Sequence, residues 1–79
     1  MGAGDYRGSM RPATSAARLG RNVHRWRLQH CMTKAEFCNY AIVSRPFLDA
    51  MESGRSNITL DYLVYIARSL GMEPWELIR

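Results

Sequence analysis

The stretch Met32–Gly54, MTKAEFCNYAIVSRPFLDAMESG, decides the fold. Thr33 has the chemistry of a helix N-cap, and Glu36, three positions on, is placed to bond back to it, the reciprocal arrangement of a capping box. Met32 before the cap and Phe37 after it have the spacing of a hydrophobic staple. The same start signal recurs at Ser44, a second N-cap with Val43 and Leu48 as its staple. Pro46 falls in the first turn of that helix, where its missing N–H costs nothing. Gly54 closes it. The stretch therefore predicts helices over 34–40 and 45–52 joined by a short turn. Two short helices so close together point to a helix-turn-helix, whose second helix enters the DNA major groove.

Working outward, Leu19, Val23, Trp26 and His30 follow the i, i+4, i+7, i+11 pattern of one apolar stripe. They predict a helix from a cap at Thr14 or Ser15 to about His30, with Arg18, Arg21 and Arg25 on its solvated side. Downstream, Gly54-Arg55-Ser56-Asn57 is turn chemistry. Ile58, Thr59 and Leu63 repeat the start signal a third time. Leu60, Leu63, Ile66, Ala67 and Leu70 form the stripe of a further helix, closed by Gly71. Pro74 opens a last short helix ending at Ile78. Strand signals are absent, so the expected fold is all-α: a compact five-helix domain over 14–79. Residues 1–13, with three glycines, Pro12 and scattered arginines, are expected to be a flexible basic tail. A DNA-reaching arm through Arg7 and Arg11 is the alternative.

At 79 residues the chain is one small domain. A domain this small buries only about 60% of its unfolded surface, so self-association would help it. With 47% hydrophobic residues it can still build a core. No apolar run is long enough to span a membrane, and the N-terminus lacks the pattern of a signal peptide, which leaves the cytoplasm as the expected compartment. Met1-Gly2 does not make a myristoylation site, because Tyr6 stands where Ser or Thr is required. Asn57-Ile58-Thr59 matches a glycosylation sequon, which matters only in a secreted protein. Cys31 and Cys38, with His24 and His30 nearby, lack metal-ligand spacing; a reduced, buried Cys38 and a turn Cys31 are expected, and no metal or cofactor.

Charge is the second clue. The net charge is +4, and it is unevenly spread. Residues 1–34 hold seven basic groups against Asp5 alone (+6), while 35–79 hold four basic and six acidic groups (−2). A basic half of this kind supplies phosphate contacts and steers a polyanion in.

From Leu19 to Ile78, about three quarters of the chain, the residues resemble the phage-repressor, or lambda-repressor-like, helix-turn-helix domains of the xenobiotic-response-element class. The resemblance rests on Val23, Trp26 and Arg27, on Thr33, Phe37 and Cys38, and on Ala41, Val43 and Ser44. It continues through Leu48, Met51, Glu52, Gly54, Asn57, Leu60, Leu63, Ile66, Ala67, Leu70, Gly71 and Leu77, without a gap. It implies that Arg45, Pro46 and Ala50 face base edges, with Phe47 on the same exposed side. It implies that Lys34, where the family usually has Gln, donates to phosphate, and that Thr33, Ser44, Arg55 and Asn57 also contact the DNA backbone. Arg27 and Glu52 match a pair that joins the first helix to the end of the third, and a partly buried ion pair is expected there. Helix N-termini and short donors suit phosphate oxygens, and arginine forks onto guanine O6 and N7.

Three positions depart from the family. Ile42 stands where Gly is preferred in the turn, so a turn requiring positive φ is expected to be reshaped. Pro46, Phe47 and Ala50 can touch thymine methyls but offer no side-chain hydrogen bond, and Asp49 either repels phosphate or accepts from cytosine N4. Lys34 adds charge. The expected function is a sequence-specific transcription regulator that binds a near-palindromic operator as a homodimer, of the prophage-repressor or restriction–modification-controller type. Its expected dimer surface is Trp75, Leu77 and Ile78. The competing reading is a protein-interaction adaptor or antitoxin-like module with Phe47 as its exposed anchor. Catalysis is not expected: no nucleophile–base spacing, phosphate-binding glycine loop or metal cluster is present.

Overall fold

The computed structural model describes residues 14–79, which form five helices: α1 Ser15–Gln29, α2 Lys34–Ala41, α3 Arg45–Glu52, α4 Leu60–Leu70 and α5 Pro74–Ile78. No strand occurs among the described residues. The tail expected at 1–13, with Arg7 and Arg11, lies outside them.

Helices as short as α2 and α3, eight residues each, are marginal in isolation. Their ends are fixed by the caps that the sequence announces. The Thr14 hydroxyl accepts from the Ala17 amide (3.1 Å), Ser44 from Phe47 (3.2 Å) and Thr59 from Tyr62 (3.2 Å). At Thr33 the box is complete: its Oγ1 accepts from the Glu36 amide at 3.1 Å, and its own amide donates to Glu36 Oε1 at 2.8 Å. Each such cap contributes about 1 kcal/mol.

Helix α1 packs on α3 and α5, α4 on α2 and α5, and α2 on α3. The core they enclose comprises Leu19, Val23, Phe37, Ala41, Leu48, Met51, Leu63, Ile66, Ala67, Leu70 and Leu77. Gly20 marks the closest approach of α1 to α3, since a Cβ there would overlap the Met51 carbonyl oxygen. Asn22, buried on α1, donates from Nδ2 to the Leu77 carbonyl at 2.8 Å and so ties down the C-terminal helix.

Several expected core positions differ. His30 is exposed, because α1 stops at Gln29; its ring stacks on Trp26 with centroids 3.8 Å apart. Leu60 is 72% exposed, as the first residue of α4 it precedes the buried stripe. Cys38 is only partly buried, while Cys31 is exposed in the turn after α1. Leu77 is fully buried, so it belongs to the core and not to a dimer surface. No helix among the described residues is long and apolar enough to cross a membrane.

Candidate nucleic-acid interface

The candidate surface is built on α2, the turn and α3. Ile42 occupies the left-handed region at φ 57°, ψ 55°, and the Val43 amide donates back to the Cys38 carbonyl at 3.1 Å. The reshaped turn expected from a β-branched residue is therefore not found. The turn keeps its positive φ, and Ile42 carries the strain with its side chain 76% exposed. The exposed side chain meets no packing obstacle, so the cost is confined to the local crowding of its Cβ against its own backbone.

Behind α3, Arg27 Nε donates to Glu52 Oε2 at 2.7 Å and Nη2 to Oε1 at 3.1 Å, with side chains 8% and 7% exposed. Arg27 Nη1 also donates to the Met32 carbonyl at 3.0 Å, and His24 Nδ1 lies 3.1 Å from Glu52 Oε1. Burial pushes the Glu52 carboxyl up, but the hydrogen bonds from Arg27 and His24 outweigh it and hold it below the ordinary carboxylate range. The hydrogen bond to Glu52 raises Arg27 in turn, against the opposing effect of burial. This bidentate clamp fixes the C-terminal end of α3 against α1 and the start of α2.

On the outer face, Arg45 is the first residue of α3 and its side chain is 57% exposed. Pro46 follows it, also exposed; Ala50, one turn on, is partly buried. Asp49 lies between two cations: Lys34 Nζ donates to its Oδ1 at 3.0 Å and Arg45 Nε at 3.4 Å. The Lys34 hydrogen bond chiefly holds the Asp49 carboxyl below its usual range, with Arg45 adding to the effect. The carboxylate is thus matched by positive charge and does not face outward alone.

Phe47 is only half-exposed, a correction to its expected place on the open side. Its ring meets Tyr62 of α4 edge-on, centroids 4.7 Å apart and planes at 77°. An aromatic side chain packed in this way is a poor candidate for a free-standing docking anchor. Burial, with Tyr65 nearby, pushes the Tyr62 phenol up. Phe47, Ala50, Arg55, Asn57, Thr59 and Tyr62 line one open groove beside α3. In it Arg55 is exposed and donates to Ser53 Oγ at 2.8 Å, and Asn57 is exposed. Thr33 and Ser44 are exposed at the starts of α2 and α3. Trp75 is 57% exposed with the Arg79 guanidinium 5.4 Å from its ring centroid, and Ile78 is half-buried.

Gly20, Asn22, Tyr62 and Tyr65 also shape this region, although helix periodicity and capping patterns do not mark them. Two of these carried a signal. A glycine inside a helix costs about 1 kcal/mol against alanine, which asks for a packing reason. An asparagine beside Val23 on α1 asks for a buried partner.

No protein-family model matches the chain, and no curated protein matches it in sequence. Solved structures do. The restriction–modification controller protein C.AhdI from Aeromonas hydrophila superposes with a TM-score of 0.68 at 21% identity, over 78% of this chain and 94% of its own. The hypothetical transcription factor NHTF from Neisseria gives 0.76 at 21% identity, over 95% and 87%. The controller protein C.Esp1396I, solved as a tetramer with its natural 35 base-pair operator, gives 0.69 at 17% identity, over 84% and 87%.

Proposed function

We propose that this chain, which has the lambda-repressor-like helix-turn-helix fold, is a sequence-specific DNA-binding transcription regulator of the controller or prophage-repressor type. The observation that carries the reading is the open N-terminal end of α3. Arg45 and Pro46 project there from a capped, clamped helix, on a fold shared with a controller protein solved on its operator.

In this reading α3 lies in the major groove. Arg45 forks onto a guanine, a contact of about 1–3 kcal/mol in discrimination. Pro46, Ala50 and the free edge of Phe47 prefer thymine through its methyl group. Asp49 orients the Arg45 guanidinium and, when Arg45 moves to a base, stays neutralised by Lys34. Thr33, Lys34, Ser44, Arg55 and Asn57 contact phosphates. Each cap hydroxyl accepts from a backbone amide, so its own proton is left to donate to a phosphate oxygen. Two copies, joined through the exposed Trp75 and half-buried Ile78, would need to set their α3 helices about 34–36 Å apart, one turn of DNA. The matching operator is near-palindromic, and concentration sets occupancy through dimerisation.

Selection of bound sequences from a random duplex pool, at near-physiological salt, tests this reading. A two-fold motif with a fixed guanine in each half-site is expected, lost with Arg45→Ala. Failure to enrich any motif, with binding indifferent to salt, sinks it in favour of a protein-interaction module. A monomer in sedimentation at high micromolar concentration removes the dimer.

A further inference from the structure

The pair Phe47–Tyr62 is one rung of a longer stack. Tyr62 lies against Tyr65, one turn along α4, with centroids 5.4 Å apart and planes at 14°. The Tyr65 hydroxyl in turn donates to the Ala41 carbonyl at 2.6 Å. Ala41 is the last residue of α2, immediately before the strained Ile42. The stack therefore runs from the turn, across the face of α4, to the first turn of α3.

Its position matters because the rest of α3 is held from the other side. Leu48 and Met51 are buried in the core, Gly20 abuts the Met51 carbonyl, and Glu52 is clamped by Arg27. These hold the body of the helix; the ring of Phe47, at its third position, is only partly buried at the edge of the core. A phenylalanine ring has several accessible rotamers. The edge-on approach to Tyr62 is the favoured geometry for an aromatic pair and selects among them. Tyr62 in turn stacks against Tyr65, whose hydroxyl is tied to the Ala41 carbonyl.

We infer that Tyr62 is a positioning residue for base recognition: the Tyr65–Tyr62–Phe47 stack, not Phe47 alone, sets the preference for thymine beneath the first turn of α3. This rests on the DNA-binding reading above. Tyr62 acts through Phe47, while Tyr65 couples the same ring to the helix-turn-helix turn.

The test uses the duplex that wild-type protein selects from the random pool. Each thymine is replaced in turn by uracil, which removes only the C5-methyl group. Wild-type protein is expected to lose about fourfold in affinity at one thymine per half-site, the equivalent of one buried methyl group at ~0.8 kcal/mol. Phe47→Ala is expected to be indifferent at that position. Tyr62→Leu is expected to lose the same discrimination while keeping its guanine preference and its salt dependence; Tyr62→Phe, which retains the ring, keeps all three. Tyr65→Phe, which deletes only the hydroxyl, is expected to lose part of the discrimination, and it supplies the answer should Tyr62→Leu not fold.

Full methyl discrimination in Tyr62→Leu overturns the inference, as does a loss spread evenly over every base position, which is what a merely structural residue gives. A wild-type protein that selects a guanine-containing motif but ignores every uracil substitution also overturns it, and leaves the DNA-binding reading intact. A wild-type protein that selects nothing overturns both.

Discussion

Glu52→Gln removes the charge from one side of a clamp whose two side chains are 8% and 7% exposed. The Arg27 guanidinium then loses its carboxylate partner at 2.7 and 3.1 Å and keeps its 3.0 Å bond to the Met32 carbonyl. Breaking a fully buried pair costs ~3–5 kcal/mol because the survivor is left uncompensated. Here the retained carbonyl bond and the amide of Gln soften the loss, which places it near ~3 kcal/mol. A domain of this size has about 3–10 kcal/mol in total, so the variant sits close to unfolding. At roughly 4–8 °C per kcal/mol, the melting temperature falls by about 12–24 °C. Urea unfolding, followed by helical circular dichroism and by tryptophan fluorescence, measures it as a lower midpoint with unchanged slope. The second arm is Arg27→Met, alone and combined with Glu52→Gln. With both charges gone no buried ion is left unpaired, so the double variant is expected to be more stable than the sum of the single losses predicts. A Glu52→Gln loss below about 1 kcal/mol, or singles that simply add, refutes the view that these charges depend on each other.

The same carboxyl gives a pH signature. Its folded value lies below the unfolded value of ~4.3, so its contribution is complete above that pH and fades as pH falls through the folded value; wild type and Glu52→Gln converge in urea midpoint in strongly acidic buffer. Ile42→Gly is expected to gain about 0.5 kcal/mol: relief of the left-handed backbone at ~1–2 kcal/mol exceeds the extra freedom of unfolded glycine at ~0.5–1 kcal/mol, and a lower urea midpoint would show that Ile42 is not strained. Gly20→Ala forces α1 from α3 at the Met51 carbonyl and is expected to cost 2 kcal/mol or more, at the upper part of the roughly 1–3 kcal/mol range for overpacking; a stabilising effect in thermal melts would mean the helices do not meet there. Ser44→Asp keeps a good N-cap and leaves stability within about 0.5 kcal/mol, yet sets a negative charge where a phosphate is proposed, so duplex affinity measured by fluorescence anisotropy drops at least about tenfold, a loss of ~1.4 kcal/mol.

The helix boundaries were legible because their signals are local. Thr33, Ser44 and Thr59 announce helix starts by chemistry that acts within three residues, and the structure places a cap bond at each. The Arg27–Glu52 clamp was reachable through the family resemblance, since nothing within either helix requires its partner. What stayed hidden was set by packing between elements distant in sequence. Leu77 carries the same hydrophobicity as a surface anchor, and only the docking of α5 through Asn22 puts it in the core. Phe47 has no local feature that distinguishes an exposed ring from one resting on Tyr62. Leu60 sits at a stripe position by spacing, yet as the first residue of α4 its side chain lies 72% exposed.

These two kinds of information separate along the interface itself. Two of the groups proposed to touch phosphate, Thr33 and Ser44, stand at helix starts, where a short hydroxyl is demanded by the end of the helix whatever lies outside it; Lys34, a cation at the positive end of α2, is not favoured there by the helix itself. A cap hydroxyl uses a lone pair for the backbone amide and keeps its proton for an anion, so one residue serves fold and binding together. The groups proposed to touch bases are under no such local demand. Pro46 and Ala50 satisfy any helix, and Arg45 and Asp49 satisfy each other and Lys34 at the surface, where such pairs contribute only ~0–1 kcal/mol. In the proposed reading, weak pairing of this kind would let Arg45 exchange Asp49 for a base edge at little cost. A clamp as tight as Arg27–Glu52 on that face would fix the side chain in the free protein and oppose the exchange. The strong ion pair therefore belongs behind α3, where it sets the angle of the helix, and the weak one in front, where the side chain must remain free to move.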